Sequence, residues 1–340
     1  MSVDPTEAAA DAIADAIAEA ERTPLLGPAR RRAAQAVDAA LSTPDLSTSL
    51  RGRALLRRAQ ARLFGGNIVG AGADVVEAGR LLTEDPERDL EAQLLAARLL
   101  NRRAQREEAQ ALVETCRPRA RRAGARVRLA FAAAAGELAL DRGDRAAAIG
   151  HFEATVGLAR TEGAPHEELQ ASLALGLMAQ LAARPLDAAG WLAGAATLAR
   201  QHKAEDKLVE AAMALGNIQI GLGKLDLARA SLEEALGTEQ VPPQLRPVVH
   251  GALARIEMRA GRLDAALQHG LAEARWGAGV ENAGAFADGT LQVAQVQLKQ
   301  GDRGGALDTL ATGEGVLRGR GEEEHAELIA LERRRVLDAR

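Results

Sequence analysis

A frame of small residues that recurs about every 40 positions constrains the fold of this chain most strongly. In ALGNIQIGLGKLDLARASLEEAL (214–236), Gly216 lies seven positions before the turn residue Gly223, and Ala228 lies five positions after it. The same turn recurs at Gly66, Ala104, Gly143, Ala183, Gly223, Gly261 and Gly301. The alanine five positions later is Ala71, Ala109, Ala148, Ala188, Ala228, Ala266 and Ala306 in turn. A fixed period of this length indicates a stack of repeated structural units.

Helix packing explains why these positions are small. Where two antiparallel helices cross closely, a side chain larger than alanine forces their axes apart. Glycine ends the first helix because it enters the left-handed conformation without steric cost. Asn67, Asp144 and Asp302 directly follow their turns and are predicted to cap the second helix. One helix pair cannot bury its apolar face alone, so the pairs are expected to stack into an all-α solenoid.

The seven units resemble tetratricopeptide repeats (TPRs), and their period is similar to that of the long-helix variety. Kinesin light chain, the Leu-Gly-Asn type and bacterial regulators related to MalT belong to that variety. The resemblance implies a right-handed superhelix with seven repeats over residues 51–320. Residues 1–50 are then a degenerate helix pair that caps the stack, and residues 321–340 a closing helix. Ile13 and Ile17 share one face of the first helix, which fits either a cap or a contact between chains in a homo-oligomer.

In TPR proteins the first helix of each repeat lines a concave groove, and the residue after the small crossing position points into it. Asn217, in Leu215-Gly216-Asn217, matches the Leu-Gly-Asn motif and is similar to a residue that clamps the backbone of a bound peptide. A solvated polar residue is an equal interpretation of Asn217. The resemblance implies partner-binding positions at Gln60, Arg98, Asn101, Glu137, Gln180, Asn217, Arg255 and Gln295.

No motif in the sequence predicts an enzyme, a cofactor or a metal site. Gly221–Lys224 lacks the first glycine, the Ser/Thr and the preceding strand of a phosphate-binding loop, so it is interpreted as a repeat turn. The glycine-rich run from Gly277 to Gly289 is expected to be a loose connection between the sixth and seventh repeats. The six histidines lack metal-ligand spacing, and most are expected on solvated faces or in linkers. Cys116, the sole cysteine, is expected to be an inert core residue.

These features favour a non-enzymatic scaffold or regulatory subunit that binds a protein or peptide segment. The alternative is a sensor of a peptide or small molecule that acts on a separate effector chain. A third interpretation is binding of nucleic acid or an anionic surface through the Arg-rich N-terminal third of the chain. That part includes Arg117–Arg128, which holds six arginines and no acidic residue. The chain is 2% aromatic, which disfavours base stacking. With neither a signal-peptide pattern nor a long apolar run for membrane insertion, a cytoplasmic protein is expected.

Overall fold

The computed structural model describes residues 5–237 and 241–339. Within those ranges the chain forms seventeen α-helices and no strand, so the all-α prediction is confirmed. The helices belong to two compact units, Met1–Ala204 and Glu205–Arg340. The turn at Gly223 joins two helices, which confirms the interpretation of Gly221–Lys224 as a repeat turn. Every helix in the described ranges is too short or too polar to span a bilayer.

The described part of the first unit, residues 5–204, consists of ten helices. They are α1 (Pro5–Arg22), α2 (Gly27–Leu41), α3 (Thr48–Phe64), α4 (Ile68–Leu81), α5 (Pro86–Arg102), α6 (Arg106–Ala120), α7 (Ala125–Asp141), α8 (Arg145–Glu162), α9 (Pro165–Leu181) and α10 (Pro185–Gln201). The described part of the second unit consists of seven helices. They are α11 (Glu205–Gly221), α12 (Leu225–Leu236), α13 (Arg246–Arg259), α14 (Leu263–Gly279), α15 (Ala283–Lys299), α16 (Arg303–Gly319) and α17 (Glu323–Asp338).

The turn at the centre of each repeat has the predicted left-handed backbone. All seven turn residues have a positive φ, and this includes the two alanines, Ala104 (61°) and Ala183 (55°). The predicted caps are confirmed as well. The side chains of Asn67, Asp144 and Asp302 each accept a hydrogen bond from the backbone N–H three residues ahead, at 2.8–3.1 Å.

The crossing positions lie in the core of each helix pair. All seven alanines that follow the turns by five residues have no solvent-exposed area. On the first helix, a Cβ added to Gly176 would lie 2.7 Å from the Leu192 side chain. A Cβ at the equivalent Gly216 would lie 3.5 Å from Leu232, which is an ordinary contact. Large partners on the second helix therefore face glycine on the first.

The terminal helices pack within the chain. Gly27, the first residue of α2, has the left-handed φ of 57° that marks the repeat turns. Ile17 is fully buried in a cluster with Val37 and Ala54, and Ile13 packs against the same cluster. This apolar face of α1 is thus covered from within the chain, which favours the capping role over a contact between chains.

The glycine-rich run from Gly277 to Gly289 is not the loose connection that the sequence suggested. Most of it lies in α14 and α15, and only residues 280–282 connect them. A Cβ at Gly277 would lie 2.6 Å from the backbone nitrogen of Phe286, and a Cβ at Gly289 would lie 2.5 Å from that of Ala274. The glycines allow two helix backbones to approach closely, a role that composition alone does not distinguish from loop flexibility.

Candidate functional site

A cavity of 370 Å³ lies inside the first unit. Its walls come from the connection between α1 and α2, from α3, α5 and α7, and from the connection that leads into α9. Glu167 of α9 also lines the cavity, so the first helices of four consecutive repeats, α3, α5, α7 and α9, contribute to it. A volume of this size lies within the range of pockets that hold small ligands.

A ring contact joins the two ends of this arrangement. Phe64, the last residue of α3, stacks on His166 in the first turn of α9, with ring centroids 3.8 Å apart and an interplanar angle of 17°. The Arg98 guanidinium lies over the same phenyl ring, 5.3 Å from its centroid, a favourable cation–π distance. The first helices of the first and fourth repeats, α3 and α9, are therefore in direct contact beside the cavity.

Arg57 carries a buried positive charge at the cavity wall and is only 9% exposed. Its Nε donates to the carbonyl oxygen of Ala20 at 2.8 Å, its Nη1 donates to Gln60 Oε1 at 2.9 Å, and its Nη2 donates to the carbonyl oxygen of Thr23. Burial, together with the nearby Arg126, lowers the pKa of Arg57 to about 10, so the guanidinium remains charged at neutral pH. Among the described residues Arg57 has no carboxylate partner within ion-pair distance.

The two other guanidiniums that face the cavity are paired. Arg98 Nη2 lies 2.6 Å from Glu137 Oε1, and Arg126 Nε lies 3.0 Å from Glu91 Oε1. Burial alone would lower the pKa of Arg98, but the Glu137 carboxylate more than offsets it and the pKa is raised. Within each pair the two charges neutralise each other. Arg57, in contrast, has no carboxylate in direct contact among the described residues.

Glu167, in the first turn of α9, also lines the cavity. Burial raises the pKa of Glu167, although Arg98, Arg57 and Arg126 all act in the opposite direction. Within the described ranges Glu167 forms no ion pair at 4.0 Å or less. The cavity is thus lined by one guanidinium and one carboxyl group that lack an ion-pair partner in the described part of the chain.

Four of the predicted groove residues lie in this part of the chain. Gln60 and Arg98 line the cavity, and Glu137 is the partner of Arg98. Asn101 is buried and donates through Nδ2 to Asp141 Oδ2 at 2.6 Å. The Arg98–Glu137 and Asn101–Asp141 separations, 39 and 40 residues, equal one repeat. Adjacent repeats therefore use these positions to bind each other.

The other four predicted residues are exposed. Gln180 lies at the end of α9 in the first unit. Asn217, Arg255 and Gln295 occupy the same position on α11, α13 and α15, the first helices of three consecutive repeats in the second unit. We call these three residues the exposed row. Their side chains are available to an external partner.

Sequence reasoning missed all of the charged cavity residues except Arg98, and among those missed are Arg57, Glu91 and Arg126 on the first helices. The prediction extended the groove only toward the end of each first helix. Arg57 lies three residues before Gln60, Glu91 seven before Arg98, and Arg126 eleven before Glu137. These separations follow the helical period, so a search in both directions along each helix would have found them.

None of the six histidines is fully exposed, in contrast to the solvated positions that the sequence suggested for most of them. His166 is buried and stacks on Phe64. His250 and His269 are half-buried, with their Nδ1 atoms 3.1 Å apart. Burial and the neighbouring His269 lower the pKa of His250 to about 4, so both rings are neutral near pH 7. No group of three or more metal-ligating side chains converges in the described residues.

Cys116 is buried, and burial raises the pKa of its thiol, which matches the expected inert core residue. The Arg-rich stretch is partly neutralised by its neighbours. Arg117 binds Glu114 at 2.7 Å, and Arg119 binds Asp89 at 2.9 Å. Together with the Arg126–Glu91 pair, these contacts occupy three of the six arginines, which weakens the case for a phosphate-binding surface.

Comparison with known proteins assigns the fold. No protein-family model and no curated protein matches the sequence. Among solved structures, the apo form of RapI matches with a TM-score of 0.70 at 12% identity over 82% of this chain and 79% of RapI. A signal-transduction ATPase from Pyrococcus horikoshii with a tetratricopeptide repeat sensor matches with a TM-score of 0.65 at 13% identity. That match covers 89% of this chain and 46% of the ATPase, so the chain spans about half its length.

Human IFIT1, as a dimer with PPP-AAAA, matches with a TM-score of 0.59 at 14% identity over 92% of this chain and 70% of IFIT1. Such low identities establish the architecture and leave function to the chain's own residues. The chain has the TPR-like helical-repeat fold that its small-residue frame predicted.

Proposed function

We propose that this protein is a non-enzymatic, cytoplasmic scaffold or regulatory subunit that binds a segment of another protein along the first helices of its repeats. The exposed row is the observation that carries the proposal. Asn217, Arg255 and Gln295 present an amide, a guanidinium and an amide at one repeat position. Amides pair with peptide groups, and a guanidinium pairs with an acidic side chain.

The exposure of the row supports this role. The equivalent polar residues of the first unit, Arg98 and Glu137, are joined to each other. The described residues give Arg255 no ion pair at 4.0 Å or less, although charged groups elsewhere in the second unit are extensively paired. Polar groups without such partners on consecutive first helices fit recognition of an extended segment better than a purely structural role.

Affinity capture tests the proposal directly. The triple variant Asn217→Ala, Arg255→Ala, Gln295→Ala is compared with the parent and with a control, Arg275→Ala, Asp308→Ala, on exposed positions of α14 and α16. The same protein should be retained by the parent and the control and lost by the triple variant, with circular dichroism unchanged. Equal retention by all three would overturn the exposed row as the binding surface.

The second candidate function is a sensor of a small ligand or peptide that acts on a separate effector chain. The cavity of the first unit favours it, because Arg57 and Glu167, which lack an ion-pair partner among the described residues, can both pair with one compact ligand. The repeat sensor named for the P. horikoshii ATPase is consistent with this role. Ligand-dependent capture of an effector would support the sensor, whereas capture independent of any ligand would support the scaffold.

A further inference from the structure

The cavity in the first unit is lined by one guanidinium and one carboxyl group that have no ion-pair partner among the described residues. Arg57, from α3, is nine-tenths buried and satisfies its N–H groups with two backbone carbonyls and the Gln60 amide. A guanidinium has five N–H donors, so donors remain after these three bonds. Glu167, from α9, brings a carboxylate to the same cavity without a direct ion pair among the described residues.

The other buried charges of the cavity wall are paired. Arg98 is bound to Glu137 and Arg126 to Glu91, each pair with a contact of 3.0 Å or less. Glu21, in the last turn of α1, is held by Arg53 and Arg88 at 2.7 and 2.6 Å. A buried charge is costly unless it is paired, so Arg57 and Glu167, which lack an ion-pair partner among the described residues, are the groups that a ligand would stabilise.

This arrangement selects against ligands of a single charge. A phosphate dianion placed on Arg57 would be repelled by the Glu167 carboxylate. A cation placed on Glu167 would be repelled by Arg57. A compact molecule with a carboxylate at one end and an ammonium at the other can pair with both groups. Leu94, Leu95 and Leu129 provide apolar wall for an aliphatic side chain.

We propose that this cavity binds a zwitterionic amino acid or short peptide, with its carboxylate on Arg57 and its ammonium on Glu167. The inference deepens the sensor function and rests on it for its biological meaning. It is independent of the exposed row, which lies in the other unit. Loss of cavity binding and loss of partner capture are therefore separate results.

The experiment uses the full chain and a defined panel of probes. The twenty free L-amino acids and a set of dipeptides that includes Leu-Leu are screened by thermal shift, and binding compounds are titrated by calorimetry. Comparison of the two groups identifies whether an amino acid or a peptide is the better ligand. Each binding compound is then tested as its N-acetyl and its C-amide derivative. Each block should weaken binding at least about tenfold, because a hydrogen bond to a buried charged group is lost.

Variants assign each end of the ligand. In Glu167→Gln, the N-acetyl derivative and the free compound should bind with similar affinity, while the effect of amidation persists. In Arg57→Gln, the effect of amidation should disappear while that of acetylation persists. Glu153→Gln makes the same charge change as Glu167→Gln, but at an exposed position of α8 outside the cavity. It serves as the control and should leave all affinities unchanged.

Arg57→Gln also removes hydrogen bonds to the end of α1 and could therefore unfold the protein. If the Arg57→Gln protein fails to fold, Glu167→Gln alone tests which group binds the ammonium end of the ligand. Three results would overturn the proposal. The first is a panel without any binding compound, and the second is binding that tolerates both blocks. The third is tighter binding of inorganic phosphate or ATP than of every zwitterion. None of these results would alter the capture of a partner by the exposed row.

Discussion

The glycines at the helix crossings give a quantitative test of the packing. Replacing Gly176 by alanine places a Cβ 2.7 Å from Leu192, a side chain that is 1% exposed and has no free space to enter. Overpacking of this kind costs about 1–3 kcal/mol. The higher helix propensity of alanine returns about 1 kcal/mol. We therefore expect Gly176→Ala to change the free energy of unfolding by about 0 to −2 kcal/mol.

The same change at Gly216 should have the opposite sign. There the Cβ lies 3.5 Å from Leu232, an ordinary contact, so the propensity gain of about 1 kcal/mol is retained. Gly194→Ala, at an exposed position of α10 with no atom within 4 Å, measures that gain alone within the first unit. The difference between Gly176→Ala and Gly194→Ala isolates the steric cost.

The two tryptophans make the assay specific to each unit. Trp191 lies in α10 of the first unit, and Trp276 lies in α14 of the second. Urea unfolding of single-tryptophan proteins, made by Trp276→Phe or Trp191→Phe, reports the unit that carries the mutation. A Gly176→Ala protein as stable as Gly194→Ala would refute the close-crossing explanation for glycine at these positions.

Three further predictions concern stability. Ala104→Gly and Ala183→Gly should each raise the free energy of unfolding in urea by about 0.5–1 kcal/mol, because glycine removes the backbone strain of an alanine with positive φ. An unchanged free energy of unfolding would contradict the presence of that strain. Burial raises the pKa of Glu273 to about 8. The contribution of Glu273 to stability is therefore complete below pH 4.5 and is lost as the pH rises through 8. In Glu273→Gln, melting temperatures measured across this pH range should no longer show that loss. The lowered pKa of His250 predicts the opposite pH dependence, in which stability is lost as the pH falls from 6.5 toward 4. If His250→Gln loses stability over this pH range as the parent does, His250 is not the cause.

The repeat frame was predictable from the sequence because it depends on local rules. Close helix crossings require small residues, and left-handed turns favour glycine. Gly223 and Ala228 therefore indicate the turn and the crossing without any knowledge of distant residues. The caps at Asn67 and Asp144 follow for the same reason.

The cavity was less predictable because it depends on which distant residues meet. Phe64 and His166 are about a hundred positions apart, and their contact depends on the curvature accumulated over three repeats. The period alone could have paired Arg98 with Glu137, since they occupy one position in adjacent repeats. The period could not have predicted that Arg57 and Glu167 lack ion-pair partners among the described residues. That outcome depends on which neighbouring charges already pair with each other.

Site-specific photocrosslinking tests the central claim, that the first helices form the binding surface, most directly. A photoreactive phenylalanine replaces Asn217 or Gln295 in the exposed row, and Arg275 or Asp308 on the second helices provides the matched control. The account predicts that one partner protein is covalently captured from both row positions and from neither control. Capture from the control positions alone would contradict it and place recognition on the second helices.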